Sequence, residues 1–226
     1  MKVRLVSYSQ PGAEFLEDGI EDVQDLIAYC ARVSNPSNQN NPETSAKLLN
    51  YLAKHKHWSP FEMASACLEI ETTRDIARQI LRHRSFSFQE FSQRYANPVT
   101  DLEFETRDAR LQDEKNRQNS IELDPVNEEH MILQVDWNEK QEAVIAAAQE
   151  AYRWAIANGI AKEQARAVLP EGNTVSRMYM NGTLRSWMHY IELRGANGTQ
   201  QEHMDIAHAI AEVIAEIFPS AKDYIS

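Results

Sequence analysis

The sequence predicts an α+β chain, and three stretches carry that prediction. Residues 61–71 set Ala64, Ala66, Leu68 and Ile70 against Ser65, Cys67, Glu69 and Glu71, the alternation of a half-buried strand. From Thr73 the period changes, with Ile76, Ala77, Ile80 and Leu81 on one helical face and Asp75, Gln79 and Arg82 on another. Residues 138–158 then form a long Ala-rich run closed by Gly159, which reads as a helix. At 226 residues the chain can bury a substantial core. No internal repeat or domain boundary divides it, so residues 1–226 are read as a single domain.

The remaining elements follow in order. Residues 2–8 alternate weakly and read as a first strand, and 20–33 as an amphipathic helix with Ile20, Val23, Ile27, Cys30 and Ala31 at helical spacing. The run 34–42 is a polar loop. A second helix is predicted over 42–55, with Pro42 early and Glu43 in its first turn. Residues 98–135 are charged and irregular, a loop or lid-like insertion with one short strand at 102–105. A short helix over 163–169 is stopped by Pro170. Residues 174–180 read as a strand, after which Asn181-Gly182 is expected to turn the chain into a helix over 183–194 with Gly195 as its C-cap. An amphipathic packing helix over 199–217 ends the series.

Composition narrows the function. There are 23 basic and 34 acidic residues, a net charge of −11, so nucleic acid and anionic membranes are repelled on average and any anion site must be a local basic pocket. Cys30 and Cys67 stand far apart, Cys30 on an apolar helical stripe and Cys67 in a strand, and neither forms a metal or redox pattern. His55 and His57 have no Cys or carboxylate partner at ligand spacing, so no metal site is assigned. The N-terminus lacks the apolar stretch of a signal peptide, and no apolar run approaches the roughly 18 residues of a membrane span. A cytoplasmic protein without membrane attachment is expected.

The stretch from Arg82 to Tyr95 is the most informative. It packs three arginines, a histidine, a glutamate, three serines and two glutamines between Phe86, Phe88, Phe91 and Tyr95. Unpaired polar atoms cost about 1–3 kcal/mol each when buried, so the stretch lies in solvent or encloses something polar and anionic. Cations at a helix C-terminus account for Arg82 and Arg84 through the helix dipole, but not for Glu90, Ser92 and Arg94 beyond them. With Arg166, Arg185 and Arg194 these arginines suit phosphate and a planar heterocycle, through bidentate bonding and stacking. Neither G-x-G-x-x-G nor G-x-x-x-x-G-K-[ST] occurs among only seven glycines, so nucleotide recognition would fall to side chains. On 183–194, Arg185, His189 and Glu192 share a face opposite Leu184, Trp187, Met188 and Ile191. Taken alone, His189 reads as a surface or boundary histidine.

Arg82-His83-Arg84 followed by seven residues and Ser92 resembles the signature of flavin-dependent thymidylate synthases, the ThyX family. His57-Trp58-Ser59-Pro60-Phe61-Glu62 is similar to its H-x-[ST]-P-F-E segment, Arg166-Ala167-Val168-Leu169-Pro170 to its R-x-x-L-P segment, and Leu184-Arg185-Ser186 through Arg194 to its C-terminal helix. The resemblance implies an α+β fold with helices packed on a mixed sheet, assembled as a homotetramer with active sites between subunits. It implies FAD as prosthetic group, NADPH as reductant and 5,10-methylenetetrahydrofolate as one-carbon donor for reductive methylation of dUMP to dTMP.

By the same resemblance, Ser59, Arg82, His83, Arg84, Glu90, Thr183, Arg185 and His189 would meet FAD. Gln79, Arg82, Glu90, Phe91, Ser92, Gln93 and Arg94 would hold dUMP, with Arg166 contributed by a neighbouring subunit. Arg194 would sit against the uracil and favour loss of its N3 proton. The family often carries a histidine four residues beyond that arginine, where this chain has Gly198. Methylating C5 needs electron density in the ring, which other thymidylate synthases raise by adding a thiolate to C6. With no suitable cysteine here, activation would be electrostatic, a fixed guanidinium stabilising an enolate-like anion. Ser92 has no base in an activating position and reads as a phosphate or ribose contact. The alternatives are a nucleotide-binding regulator without turnover and a nucleic-acid module, the latter opposed by the net charge.

Overall fold

The computed structural model describes residues 1–224. Strand β1 (Lys2–Tyr8) forms as expected, followed by a short α1 (Ala13–Glu17). Helix α2 (Val23–Ala31) begins where the Asp22 carboxylate accepts from the Asp25 N–H at 2.8 Å, and it buries Val23, Ile27 and Ala28. Helix α3 (Ser45–Lys54) follows a 3-10 turn at Pro42–Thr44. It closes on Lys56, whose φ of 60° is the left-handed conformation that redirects the chain into His57–Glu62.

Strand β2 (Ser65–Thr73) runs straight into α4 (Arg74–Ile80), with Thr73 as N-cap. Strand β3 (Ser87–Glu90), α5 (Pro98–Asp101) and a hairpin of β4 (Arg110–Gln112) and β5 (Ser120–Glu122) lead to α6 (Glu128–Ala157). After α7 (Lys162–Ala165), β6 (Val175–Thr183) runs straight into α8 (Leu184–Arg194), with Thr183 as N-cap, and α9 (Gln201–Ala215) follows.

The main sheet has the order β1-β2-β6-β3. The expected mixed sheet is corrected: among the described residues each pairing in it is antiparallel. The reason is topological. Strands β2 and β3 run in the same direction, but β6 inserts between them and opposes both. Strands β2 and β6 pair over their full length, Ser65 opposite Thr183 and Thr73 opposite Val175. Each ends in a threonine that starts a helix, so α4 and α8 set out from opposite ends of the sheet and their C-terminal turns meet. That meeting point positions the site.

The core lies where Ala66, Leu68 and Ile70 of β2 and Met178 and Met180 of β6 pack under α2, α3, α8 and α9. Trp187, fully buried, donates its indole N–H to the Ala66 carbonyl at 3.0 Å. A second small cluster of Tyr152, Ala155, Ala165 and Leu169 ties α6 to α7.

Three local expectations change, while Gly195 stands as the expected C-cap of α8. Asn181-Gly182 does not turn: both residues continue β6, opposite Cys67 and Ala66. Glycine is needed there because a Cβ on Gly182 would lie 2.4 Å from the Phe86 ring. Gly195 caps α8 with ordinary helical dihedrals, and its requirement is also close approach, since a Cβ would stand 2.8 Å from the Ile191 carbonyl oxygen. Helix α6 begins at Glu128 rather than near 138, because Asn127 caps the Glu129 and His130 N–H groups. The strand expected at 102–105 is reduced to one bridge, Phe104 to Thr174. The lid-like segment is anchored: Arg107 donates to Thr73 at 2.6 Å, and Arg110 is ion-paired with Glu202. Among the described residues no helix is long and apolar enough to cross a membrane.

Candidate active site

The C-terminal turns of α4 and α8 bring together residues 111 positions apart: Arg194 Nε donates to His83 Nε2 at 2.9 Å. Helix α4 supplies Gln79 in its last turn, and the chain then tightens, with the Arg82 and His83 N–H groups bonded to the Gln79 and Ile80 carbonyls. Burial first, then the guanidinium charges of Arg194 and Arg82, push the His83 pKa down to about 4. Its ring is therefore neutral at pH 7, with Nε2 free to accept and the proton on Nδ1. Arg194 is thereby held through one edge of its guanidinium.

Tyr190 of α8 packs its ring edge against His83, with centroids 4.8 Å apart, and its hydroxyl lies 2.9 Å from His203 Nε2. His203 is fully buried, and burial, Arg194 and His83 drive its pKa to about 3. Its Nδ1 lies 3.2 Å from Gln79 Oε1, and Gln79 Nε2 donates to Gln200 Oε1 at 2.8 Å. None of Tyr190, Gln200, Glu202 or His203 was singled out from the sequence. The available signal was a histidine placed within the apolar stripe of Ile206, Ala207 and Ile210 on α9. Beyond Gln200 and Glu202 opens a cleft of about 710 Å³, walled by Arg110, Gln112 and Ser120 of the hairpin and by Trp137 of α6.

At the start of α8 a second group forms. Thr183 caps the helix by accepting from the Ser186 N–H at 3.3 Å, and the Ser186 hydroxyl donates to the Ser85 carbonyl at 3.3 Å. Arg185 is ion-paired with Glu62, three residues beyond Ser59, and His189 stands edge-on to Trp58 with centroids 4.6 Å apart. Arg82, Arg84 and Ser59 are exposed, and Arg185 is partly so. These exposed donors beside an aromatic shelf fit the diphosphate and ring of a dinucleotide such as FAD.

The third group starts at Glu90, the last residue of β3, whose four residues span roughly 13 Å of extended chain. Glu90 accepts from the Ser176 hydroxyl at 2.8 Å and lies 3.6 Å from Arg74. Phe91 continues the strand pairing through its N–H to the Arg177 carbonyl, and the Ser92 hydroxyl accepts from the Arg94 N–H at 3.4 Å. Gln93 is 4% exposed and, among the described residues, its Nε2 donor has no partner, as a group awaiting a ligand would be. Arg94 and Arg166 both lean on Glu163: Arg94 Nη2 lies 3.3 Å from its carboxylate, and Arg166 Nε donates to its carbonyl at 3.3 Å.

Thus one chain gathers Gln79, Arg82, His83 and Arg194 at one point, Ser59, Thr183, Arg185 and His189 along α8, and Glu90 to Arg94 with Arg166 at the far end of β3. Burial pushes both Cys30 and Cys67 thiols above their ordinary value, and neither residue lies in these groups.

The family model for the thymidylate synthase complementing protein matches residues 16–220. A probable flavin-dependent thymidylate synthase of Paramecium bursaria Chlorella virus 1 is 49% identical over 223 residues, covering 97% of this chain and 96% of its own. A flavin-dependent thymidylate synthase of Synechocystis sp. is 49% identical over 221 residues, covering 97% of each chain. Among solved structures, a UMP/dUMP methylase, PolB, from Streptomyces cacaoi bound with 5-Br dUMP superposes with a TM-score of 0.78 at 24% identity, over 99% of this chain and 93% of that one. That likeness establishes the shared fold.

Proposed function

The chain belongs to the flavin-dependent thymidylate synthase family, and from that premise we propose that it methylates dUMP to dTMP. FAD is its prosthetic group, NADPH its reductant and 5,10-methylenetetrahydrofolate its one-carbon donor. Bound FAD supplies the redox chemistry between the reductant and the transferred carbon. What carries the reading is the meeting of two distant motifs, Arg194 Nε on His83 Nε2 at 2.9 Å.

The chain's own residues divide the work. With its Nε committed to a neutral histidine, Arg194 keeps its terminal amino groups for the pyrimidine, where they stabilise the anion left by N3 deprotonation. A guanidinium does this without reorganising, because His83 already fixes its plane. Gln79 and Arg82 hold the nucleotide beside it. Arg94, Ser92 and Arg166 take the phosphate, and Glu90, Phe91 and Gln93 line the approach. Ser59, Arg82, His83, Arg84, Glu90, Thr183, Arg185 and His189 contact the flavin. No cysteine addition is required, in keeping with the raised Cys30 and Cys67 thiols.

The working form is a homotetramer of this domain with sites shared between subunits. Two features support that. The phosphate group and the Arg194 group sit apart on one chain, and α6 exposes Met131, Ile132, Val135 and Val144, apolar surface suited to a partner. The test uses purified holoprotein: a flavin absorbance bleached by NADPH, and tritium release from 5-labelled dUMP that requires methylenetetrahydrofolate. Flavin without tritium release would replace the enzyme by a nucleotide-binding regulator.

A further inference from the structure

Building on the reading of Gln79 as a nucleotide contact, we propose that Glu202 and His203 are positioning residues that fix the Gln79 side-chain amide in one orientation. An amide seen by its heavy atoms alone can face either way, and the surrounding partners decide which. Here the decision starts at Glu202. Its carboxylate is acceptor-only, with Oε1 ion-paired to Arg110 and Oε2 2.8 Å from Gln200 Nε2. Gln200 must therefore turn its N–H to Glu202 and its Oε1 to Gln79. The reverse would set two acceptors against each other at 2.8 Å.

Each later link follows from that one. Gln79 gives an N–H to Gln200 Oε1 at 2.8 Å, so its own Oε1 faces His203 Nδ1 at 3.2 Å. His203 Nδ1 must then carry the proton. Being neutral, the ring has only that one, so Nε2 accepts from the Tyr190 hydroxyl at 2.9 Å. Neutral imidazole in water favours the proton on Nε2, so the chain imposes the less common tautomer. Tyr190 also packs against His83, the residue that holds Arg194, so the amide and the guanidinium are located from a single ring. Gln79 then presents its second N–H and its second carbonyl lone pair in a fixed order, and a bound pyrimidine monophosphate meets a set pattern of donor and acceptor.

The direction of the chain is tested on FAD-loaded enzyme by histidine-selective 15N NMR, with the His203 signal identified by its loss in His203→Leu. A proton on Nδ1 is expected, and in Glu202→Gln a shift of population towards the Nε2 form. A signal from Nε2–H in the unsubstituted enzyme overturns the proposal. Its consequence is tested by dUMP titration. His203→Leu should raise the Kd about tenfold with flavin content unchanged, whereas His203→Asn, whose amide nitrogen occupies the place of Nδ1, should return it to within about threefold. Equal affinities in His203→Leu and the unsubstituted enzyme, or no recovery in His203→Asn, overturn the positioning role. Failure of the unsubstituted holoenzyme to bind dUMP overturns the nucleotide assignment of Gln79, while the tautomer measurement still decides the hydrogen-bond direction.

Discussion

The two ends of the arginine-rich stretch are built differently. At the His83 end Arg194, His83, Tyr190, His203, Gln79 and Gln200 are partnered with one another, and two of these six, Tyr190 and His203, are buried. At the Arg94 end the chain is open: Arg94 and Glu163 have side chains 56% and 49% exposed, so their ion pair is a contact in water. The difference suits the two tasks proposed for these ends. Stabilising charge that develops during reaction rewards groups that need not move, because reorganisation there adds directly to the barrier. Holding a dianionic phosphate asks only for mobile cations within reach, and those can be completed by a neighbouring subunit.

The largest effect should follow removal of the rigid end's charge. Arg194→Ala is expected to cut turnover by about a hundred- to a thousandfold, the cost of losing one preorganised donor to a developing anion. Flavin content and melting temperature should change little, and steady-state kinetics beside an absorption spectrum would show both. Undiminished turnover would mean that the ordered end is structural only. At the open end Arg94→Ala should act on binding instead, weakening dUMP by roughly ten- to a hundredfold with a much smaller change in turnover at saturation. If the two variants affected kcat and KM alike, the division of labour would be wrong.

What could be read from residues alone follows the same divide. Strand β2 and helix α4 were legible because Ala64 to Ile70 alternate at period 2 and Ile76 to Leu81 recur at helical spacing over a core that a single chain supplies. The first turns of α6 were not legible. Met131, Ile132, Leu133 and Val135 are all exposed on the lone chain, so their pattern marks no stripe against its own core. Asn181-Gly182 misled because the same dipeptide that favours a turn also serves where a ring needs backbone clearance, and Phe86 stands over Gly182. The site divides likewise. The R-H-R and R-x-x-L-P resemblances named its cations, but the bond between His83 and Arg194 spans 111 positions and leaves no periodic trace. His203 and Glu202 stayed hidden because a polar group inside an apolar stripe declares its partner only once the fold supplies Gln79 and Tyr190.

The smallest effect bears most directly on whether the open end is truly unordered. Glu163 holds the Arg94 guanidinium at 3.3 Å and offers its carbonyl to Arg166, so a phosphate arriving there must compete with it. An exposed pair of this kind contributes about 0–1 kcal/mol, which bounds how much affinity the competition can cost. Glu163→Gln keeps the backbone carbonyl and side-chain size while removing the charge. We expect dUMP to bind up to about fivefold tighter at low ionic strength. The gain should shrink as salt is raised, since screening weakens exposed pairs on the scale of about 10 Å at 0.1 M. Thermal stability should shift by less than about 1 kcal/mol, because nothing buried is disturbed. Weaker binding in Glu163→Gln, persisting at high salt, would show instead that the carboxylate aims both arginines at the phosphate, and the contrast between an ordered and an open end would vanish.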